Sequence, residues 1–222
     1  MEILNLGSHR IGVRFPEKGL RKGKNPAILL NDGELIEQLN LRTERAVLVG
    51  VYPNNRLSEY TPWPEPAIRP GTPDFGGQLG QYHRELNNEI LTALIDEYAL
   101  DTEKLAYGGY SLGGLAATMS LWETDAFAAV FSLCGSFWYP GVADFIEEHV
   151  PKNYSAQVYL QNGIREGKGH NNRLCDAYSY AQRVHTALQA TCGAKTVLDD
   201  YGHHDRQSER LNAALRWVER VL

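Results

Sequence analysis

Cysteine is scarce in this chain: Cys134, Cys175 and Cys192 are three thiols in 222 residues, an odd number with no CxxC spacing. That excludes a disulfide framework and a cysteine-ligated structural zinc, and it fits reduced thiols in a cytoplasmic protein. Nowhere does an apolar run approach the roughly 18 residues of a membrane helix. The first 15 residues carry Glu2 where an export signal would be basic, and they mix Gly, Asn and Ser into the apolar positions. A protein that is neither exported nor embedded is expected. Basic blocks are missing too: 22 Lys and Arg are spread among 27 Asp and Glu, for a net charge of −5. Without a cationic stripe to neutralise phosphates, nucleic acid is not an expected partner.

What is present is an ordinary globular composition, 43% hydrophobic and 22% charged, at a length that fills one domain with its own core. Short apolar runs at residues 27–30, 46–51, 105–107, 128–133, 157–160 and 196–198 are bounded by Pro, Asn, Asp and Gly, the pattern of strands buried on both faces. Residues 10–15 alternate polar with apolar and predict an antiparallel edge strand. Between the runs lie helical periodicities. In residues 79–100, Tyr82, Leu86, Ile90, Leu94 and Tyr98 recur every four positions, and residues 172–190 and 208–222 carry similar stripes. Strand and helix in alternation predict an α/β fold with a mostly parallel central sheet flanked by helices, one compact domain over residues 1–222. Residues 52–77 break the rhythm, holding six of the ten prolines with Trp63, Phe75 and Gly76-Gly77. A loop of that length is expected to wall a functional site.

Gly109-Tyr110-Ser111-Leu112-Gly113 is a GxSxG sequence with a strand pattern before it and a helical, small-residue pattern after it. That context makes it a nucleophile elbow, in which a strained turn presents the serine hydroxyl at the carboxyl edge of a sheet. The expectation is therefore an α/β-hydrolase fold with Ser111 as nucleophile. Serine needs a base and a group to orient that base, and in this fold they follow in the order Ser, acid, His. The acid belongs after the second strand beyond the elbow, where Glu166 is the first carboxylate. Asp176, within the predicted helix, is the alternative. The histidine belongs after the last strand, where His203 and His204 stand together and spacing alone does not choose between them. Vicinal histidines diverge and no Cys/His cluster accompanies them, so no metal is expected. His9, His83, His149, His170 and His185 lack this placement. Cys134, at the end of an apolar run, reads as an inert buried thiol.

An oxyanion hole needs two N–H donors. Leu112, following the nucleophile, supplies one, and the loop Asn31-Asp32-Gly33-Glu34 after an early strand supplies the other, from Glu34 or else Gly33. Trp63, Phe75, Phe137, Trp138 and Tyr139 either wall a substrate pocket or belong to the core. Arg56 either binds an anionic or catecholate substrate or pairs with Glu59.

Several ordered motifs resemble the esterase family that includes esterase D, feruloyl esterases and enterochelin-type siderophore esterases. They are Leu30-Asn31-Asp32-Gly33, Arg56 with Glu59-Tyr60-Thr61-Pro62, Phe75-Gly76-Gly77, Gly109 to Gly114, Ser136-Phe137-Trp138, Gly163-Ile164-Arg165-Glu166 and Gly202-His203-His204-Asp205. The resemblance implies ester hydrolysis through a covalent acyl-enzyme, with no cofactor and no large lid. Because the family histidine stands immediately before Asp or Asn, it implies His204 as base, with Glu166 as acid and the Leu112 and Glu34 N–H groups as oxyanion donors; Arg56, Phe137 and Trp138 are the substrate-binding candidates. Leu112 stands where relatives often carry Met, and Asn31 where an apolar residue is usual. Small-molecule esters are the expected partner, a homo-oligomer is left open, and acyl transfer to another acceptor, thioester hydrolysis or a non-catalytic binding role are the competing expectations.

Overall fold

The computed structural model describes all 222 residues. A hairpin of β1 (Glu2–Leu6) and β2 (His9–Arg14) leads into β3 (Asn25–Asn31), α1 (Leu35–Gln38) and β4 (Val47–Tyr52). The long loop holds α2 (Arg56–Glu59) and a two-stranded ribbon, β5 (Pro64–Glu65) with β6 (Phe75–Gly76). There follow α3 (Leu79–Glu85), a π-helical turn (Leu86–Ile90), α4 (Leu91–Tyr98), β7 (Leu100–Tyr110) and α5 (Leu112–Glu123). The chain closes with β8 (Ala129–Leu133), α6 (Val142–Glu148), β9 (Gln157–Gly163), a 3-10 turn (Arg173–Asp176), α7 (Ala177–Cys192), β10 (Lys195–Asp199) and α8 (Gln207–Val221).

One eight-stranded sheet runs in the order β1-β2-β4-β3-β7-β8-β9-β10. From β4 to β10 every neighbouring pair is parallel. These are the six apolar runs of the sequence, four of them extended at their ends and residues 46–51 and 128–133 displaced or shortened by one residue. Residues 9–14 do form an antiparallel strand, but it is not the edge: β2 lies between β4 and the unpredicted β1. Glu2–Leu6 is exposed or half-buried along its length, so it carries no apolar signal of its own.

Side chains of β3 divide by parity between the two faces of the sheet. Ala27 and Leu29 join a core closed by α3 to α7, while Ile28 and Leu30 join a core closed by α1 and α8. Full burial of each leucine stabilises the fold by roughly 1.5–3 kcal/mol. Helix α5 is buried from Leu112 to Leu121, a stretch without a charged side chain. The residue 79–100 periodicity becomes one helical path with a wide turn in its middle. It stops at Ala99, whose left-handed backbone (φ 48°) cannot continue a helix. All six parallel strands therefore deliver their carboxyl ends to one edge of the sheet, where the loops bearing Asp32, Ser111, Glu166 and His203 meet.

Candidate active site

Ser111 sits between β7 and α5 with φ 60° and ψ −121°, a conformation non-glycine residues adopt at a cost of roughly 1–3 kcal/mol. Backbone bonds hold it there: its N–H donates to Leu133 O at 2.9 Å, and its carbonyl accepts from Leu115 and Ser136 N–H at 3.0 and 3.1 Å. The motif glycines are required by contact. A Cβ on Gly109 would lie 2.4 Å from the carbonyl carbon of Gly113, and one on Gly113 would lie 2.9 Å from Asn31 Cβ. The strand entering the elbow and the helix leaving it thus touch backbone to backbone.

His203 Nε2 lies 3.0 Å from Ser111 Oγ, and His203 Nδ1 lies 2.9 Å from Glu166 Oε2. The structure thus brings His203, rather than His204, between Ser111 and Glu166. The His204 ring stands perpendicular to that of His203, at 4.9 Å, and faces the open clefts. Adjacent side chains diverge, so once His203 points inward His204 points out. The histidine directly before Asp205, which the family resemblance implied, is therefore not the one in contact with Ser111. Asp205 instead accepts the Gly202 N–H at 2.8 Å and closes the turn that aims His203.

Glu166 falls where strand counting puts it, and Asp176 lies at the far end of the 3-10 turn. The Glu166 carboxylate is 4% exposed and accepts the Gly163 N–H at 2.7 Å on the oxygen not used by His203. Burial alone would raise its pKa, but His203 and the Gly163 N–H outweigh burial and hold it below the usual carboxylate range. Behind it Asn162 donates to Glu166 at 3.3 Å and presents its Oδ1 to His185 Nε2 at 3.0 Å. Burial pushes the His185 imidazole down to about 4, so this neighbour stays neutral. Cys134, buried beside Glu166, has its thiol pKa raised by burial first and by that carboxylate second. It is the inert thiol that its apolar surroundings predict.

Of the oxyanion candidates, Gly33 N–H is committed to Val51 O at 3.0 Å. Leu112 N–H and Glu34 N–H make no backbone hydrogen bond, which leaves them free to face a ligand. Each opens a helix, α5 and α1, where unpaired donors are the rule. Asn31, whose purpose the sequence left open, is fully buried and ties the end of β3 to the elbow: its Nδ2 donates to Gly113 O at 2.9 Å, and its Oδ1 accepts from Tyr82 OH at 2.6 Å.

Arg56 is not a free cation. Its Nε and Nη2 form a fork on Asp32, at 2.7 and 2.9 Å, so neither a substrate nor Glu59 has first claim on it. Phe137 is fully buried against the His185 ring and is a core residue. Trp138 does reach the site. Ser111 stands between two clefts, one of about 260 Å³ bounded by Asp32, Glu34, Arg56 and Gln207, the other of about 490 Å³. Ile68, Arg69, Trp138, Arg165, Lys168 and His170 line the larger one. Residues 52–77 are therefore a wall of the site, pinned from outside by Arg173, which donates to Pro66 O at 2.6 Å and lies over the Phe75 and Trp138 rings. Tyr110 and Arg210, which the sequence did not single out, stand beneath the histidine loop: Tyr110 OH donates to His203 O and Arg210 donates to Gly202 O.

A mostly parallel sheet, with a strained serine at a strand-to-helix elbow and a histidine within hydrogen-bond reach of it, defines a carboxylic ester hydrolase of the α/β-hydrolase fold. The chain belongs to the "Putative esterase" family, whose model matches residues 7–217. It is 28% identical over 204 residues to the uncharacterized protein YbbA of Bacillus subtilis, covering 83% of this chain and 82% of that one. Among solved structures it resembles the BES protein from Bacillus cereus (TM-score 0.74, 20% identity, 95% of this chain and 90% of that one). It also resembles the enterobactin esterase FES from Shigella flexneri, solved in the presence of enterobactin (TM-score 0.71, 17% identity, 96% of this chain). The match spans 55% of FES, so the likeness is of one fold within a longer protein. No helix is long and apolar enough to cross a membrane.

Proposed function

We propose that Ser111, His203 and Glu166 hydrolyse carboxylic esters through a covalent acyl-enzyme. The unbroken chain from Ser111 Oγ to His203 Nε2 and from His203 Nδ1 to Glu166 Oε2 carries this reading. In it, Nε2 takes the hydroxyl proton as Oγ attacks the ester carbonyl, and the Leu112 and Glu34 N–H groups receive the negative charge on the carbonyl oxygen. His203 then passes the proton to the leaving alcohol, and in the second half removes one from water as the acyl group departs. Glu166 keeps the Nδ1 proton in place and stabilises the imidazolium. No cofactor has a step to perform. The unpaired cysteines agree with a cytoplasmic setting.

The larger cleft suggests a small-molecule ester carrying negative charge. Arg69, Arg165 and Lys168 gather at one cleft, where they outnumber the carboxylates Glu166 and Asp205, in a protein whose net charge is −5. Trp138 adds an aromatic wall, and FES is named for the ester enterobactin. The test is hydrolysis of matched nitrophenyl esters, butyrate against hemisuccinate, by the native enzyme and by Ser111→Ala. Turnover of both should vanish in the variant, and the anionic ester should have the higher kcat/KM, falling with salt. Undiminished turnover by Ser111→Ala would sink the assignment, and equal kcat/KM for the pair would sink the charge preference alone.

A further inference from the structure

Tyr110 is the variable residue of the GxSxG motif, directly before the nucleophile, yet its side chain reaches ninety-three positions along the chain to the base: its hydroxyl donates to the carbonyl of His203. Its other partners leave it no alternative. Arg210 Nη1 approaches the same hydroxyl at 3.2 Å and can only donate. The protonated Cys134 thiol donates to it at 3.1 Å. With both lone pairs of the phenol oxygen taken, its single proton is directed at His203 O. The Tyr110 ring also lies edge-on to the His203 imidazole, at 5.7 Å.

Arg210 projects from α8 and is 2% exposed, an arginine within an otherwise apolar helix face. Its Nε and Nη2 clamp Asp199 at the end of β10, and Nη1 donates to Gly202 O at 3.0 Å. One guanidinium therefore ties the strand that ends before the loop to the residue preceding the histidine. It also orients the phenol that holds the histidine's own carbonyl. A buried charge whose donors reach Asp199, Gly202, Tyr110 and Cys134 does more than an apolar residue would do in α8, whose packing Leu211 and Leu215 already serve.

We infer that Tyr110 and Arg210 are positioning residues for the base: they fix the backbone of Gly202 and His203 against the nucleophile elbow, so that His203 Nε2 meets Ser111 Oγ without a search. The inference rests on the catalytic reading of Ser111 and His203. Neither residue touches the reacting atoms. Their effect is on the fraction of time the imidazole spends in line, which enters kcat and leaves substrate binding alone.

Tyr110→Phe keeps the ring and deletes only the hydroxyl. Its kcat is measured per active site, the sites being counted by stoichiometric fluorophosphonate labelling of Ser111. We expect kcat per site to fall about 10- to 100-fold, the scale of a sub-ångström to ångström misplacement, with KM within about twofold of wild type. Arg210→Met should act through the same acceptors, so the double variant should lose less than the product of the two single losses. Unchanged kcat per site in Tyr110→Phe, with only the thermal midpoint lowered, would overturn the inference, and Tyr110→Phe suffices if Arg210→Met does not fold. A wild-type protein without Ser111-dependent hydrolysis would instead remove the catalytic reading beneath it, a result recognisable before any variant is made.

Discussion

Replacing Asn31 by alanine removes the one side chain that joins β3, the tyrosine pair and the elbow. Its partners are all buried. Tyr82 OH loses its 2.6 Å bond to Asn31 Oδ1, whereas Tyr107 OH retains an approach to His83 Nε2 at 3.4 Å. The Gly113 carbonyl loses a donor at 2.9 Å. An orphaned buried polar group costs about 1–3 kcal/mol, and since the Gly113 carbonyl keeps its intrahelical partner in α5, Tyr82 predicts a loss of roughly 1–3 kcal/mol. The assay is urea unfolding, read as a shift in midpoint at constant slope. Tyr82→Phe supplies the second arm of a cycle. Deleting both partners leaves nothing orphaned on that side, so the double variant should be more stable than the summed single effects by about 1 kcal/mol or more. A single variant within about 0.5 kcal/mol of wild type, or strict additivity with Tyr82→Phe, would refute the assignment of Asn31 as the tie.

Gly109→Ala places a methyl 2.4 Å from the Gly113 carbonyl carbon and should cost on the order of 3 kcal/mol, whereas Gly80→Ala, on the open side of α3 with its nearest atom 3.6 Å away, should stabilise by about 0.5–1 kcal/mol. Thermal unfolding compares the two, and equal effects would contradict the backbone contact. His9 is buried between Glu59 and Glu85, at 3.3 and 3.1 Å; burial opposes its charge, but the two carboxylates outweigh burial and raise its pKa above 6.5. A raised folded pKa means that its contribution is full below pH 6.5 and is lost as pH rises through the folded value. The stability difference between wild type and His9→Gln should accordingly be larger at pH 6 than at pH 9, and a difference that grew with pH would contradict the ion pairs.

The parallel sheet was legible because strands buried on both faces must be continuously apolar; Ser111 stood in the GxSxG motif, and Glu166 followed from counting strands beyond it. Strand β1 was not legible, since an exposed edge strand such as Glu2–Leu6 needs no apolar face. Nor could the sequence decide between His203 and His204, because the decision is made by a turn closed through Asp205 and by contacts arriving from α8 and the elbow. The family resemblance points to His204, the histidine next to Asp205, whereas the geometry brings His203 to Ser111. Phe137 and Trp138 are alike as residues and adjacent in the chain, yet one faces His185 in the core and the other faces the cleft. Arg56 lost its expected freedom to Asp32, which comes from a loop 24 residues earlier. For Phe137 and Arg56 the deciding partner is distant in sequence, and local pattern carries no information about it.

The central claim is that Ser111 is driven by His203. The most direct measurement is kcat/KM for a nitrophenyl ester in His203→Ala beside His204→Ala, both checked for native unfolding behaviour. His203→Ala should lose on the order of 10³-fold or more, and His204→Ala should stay within about tenfold of wild type. The opposite ranking, or equal losses, would contradict the account.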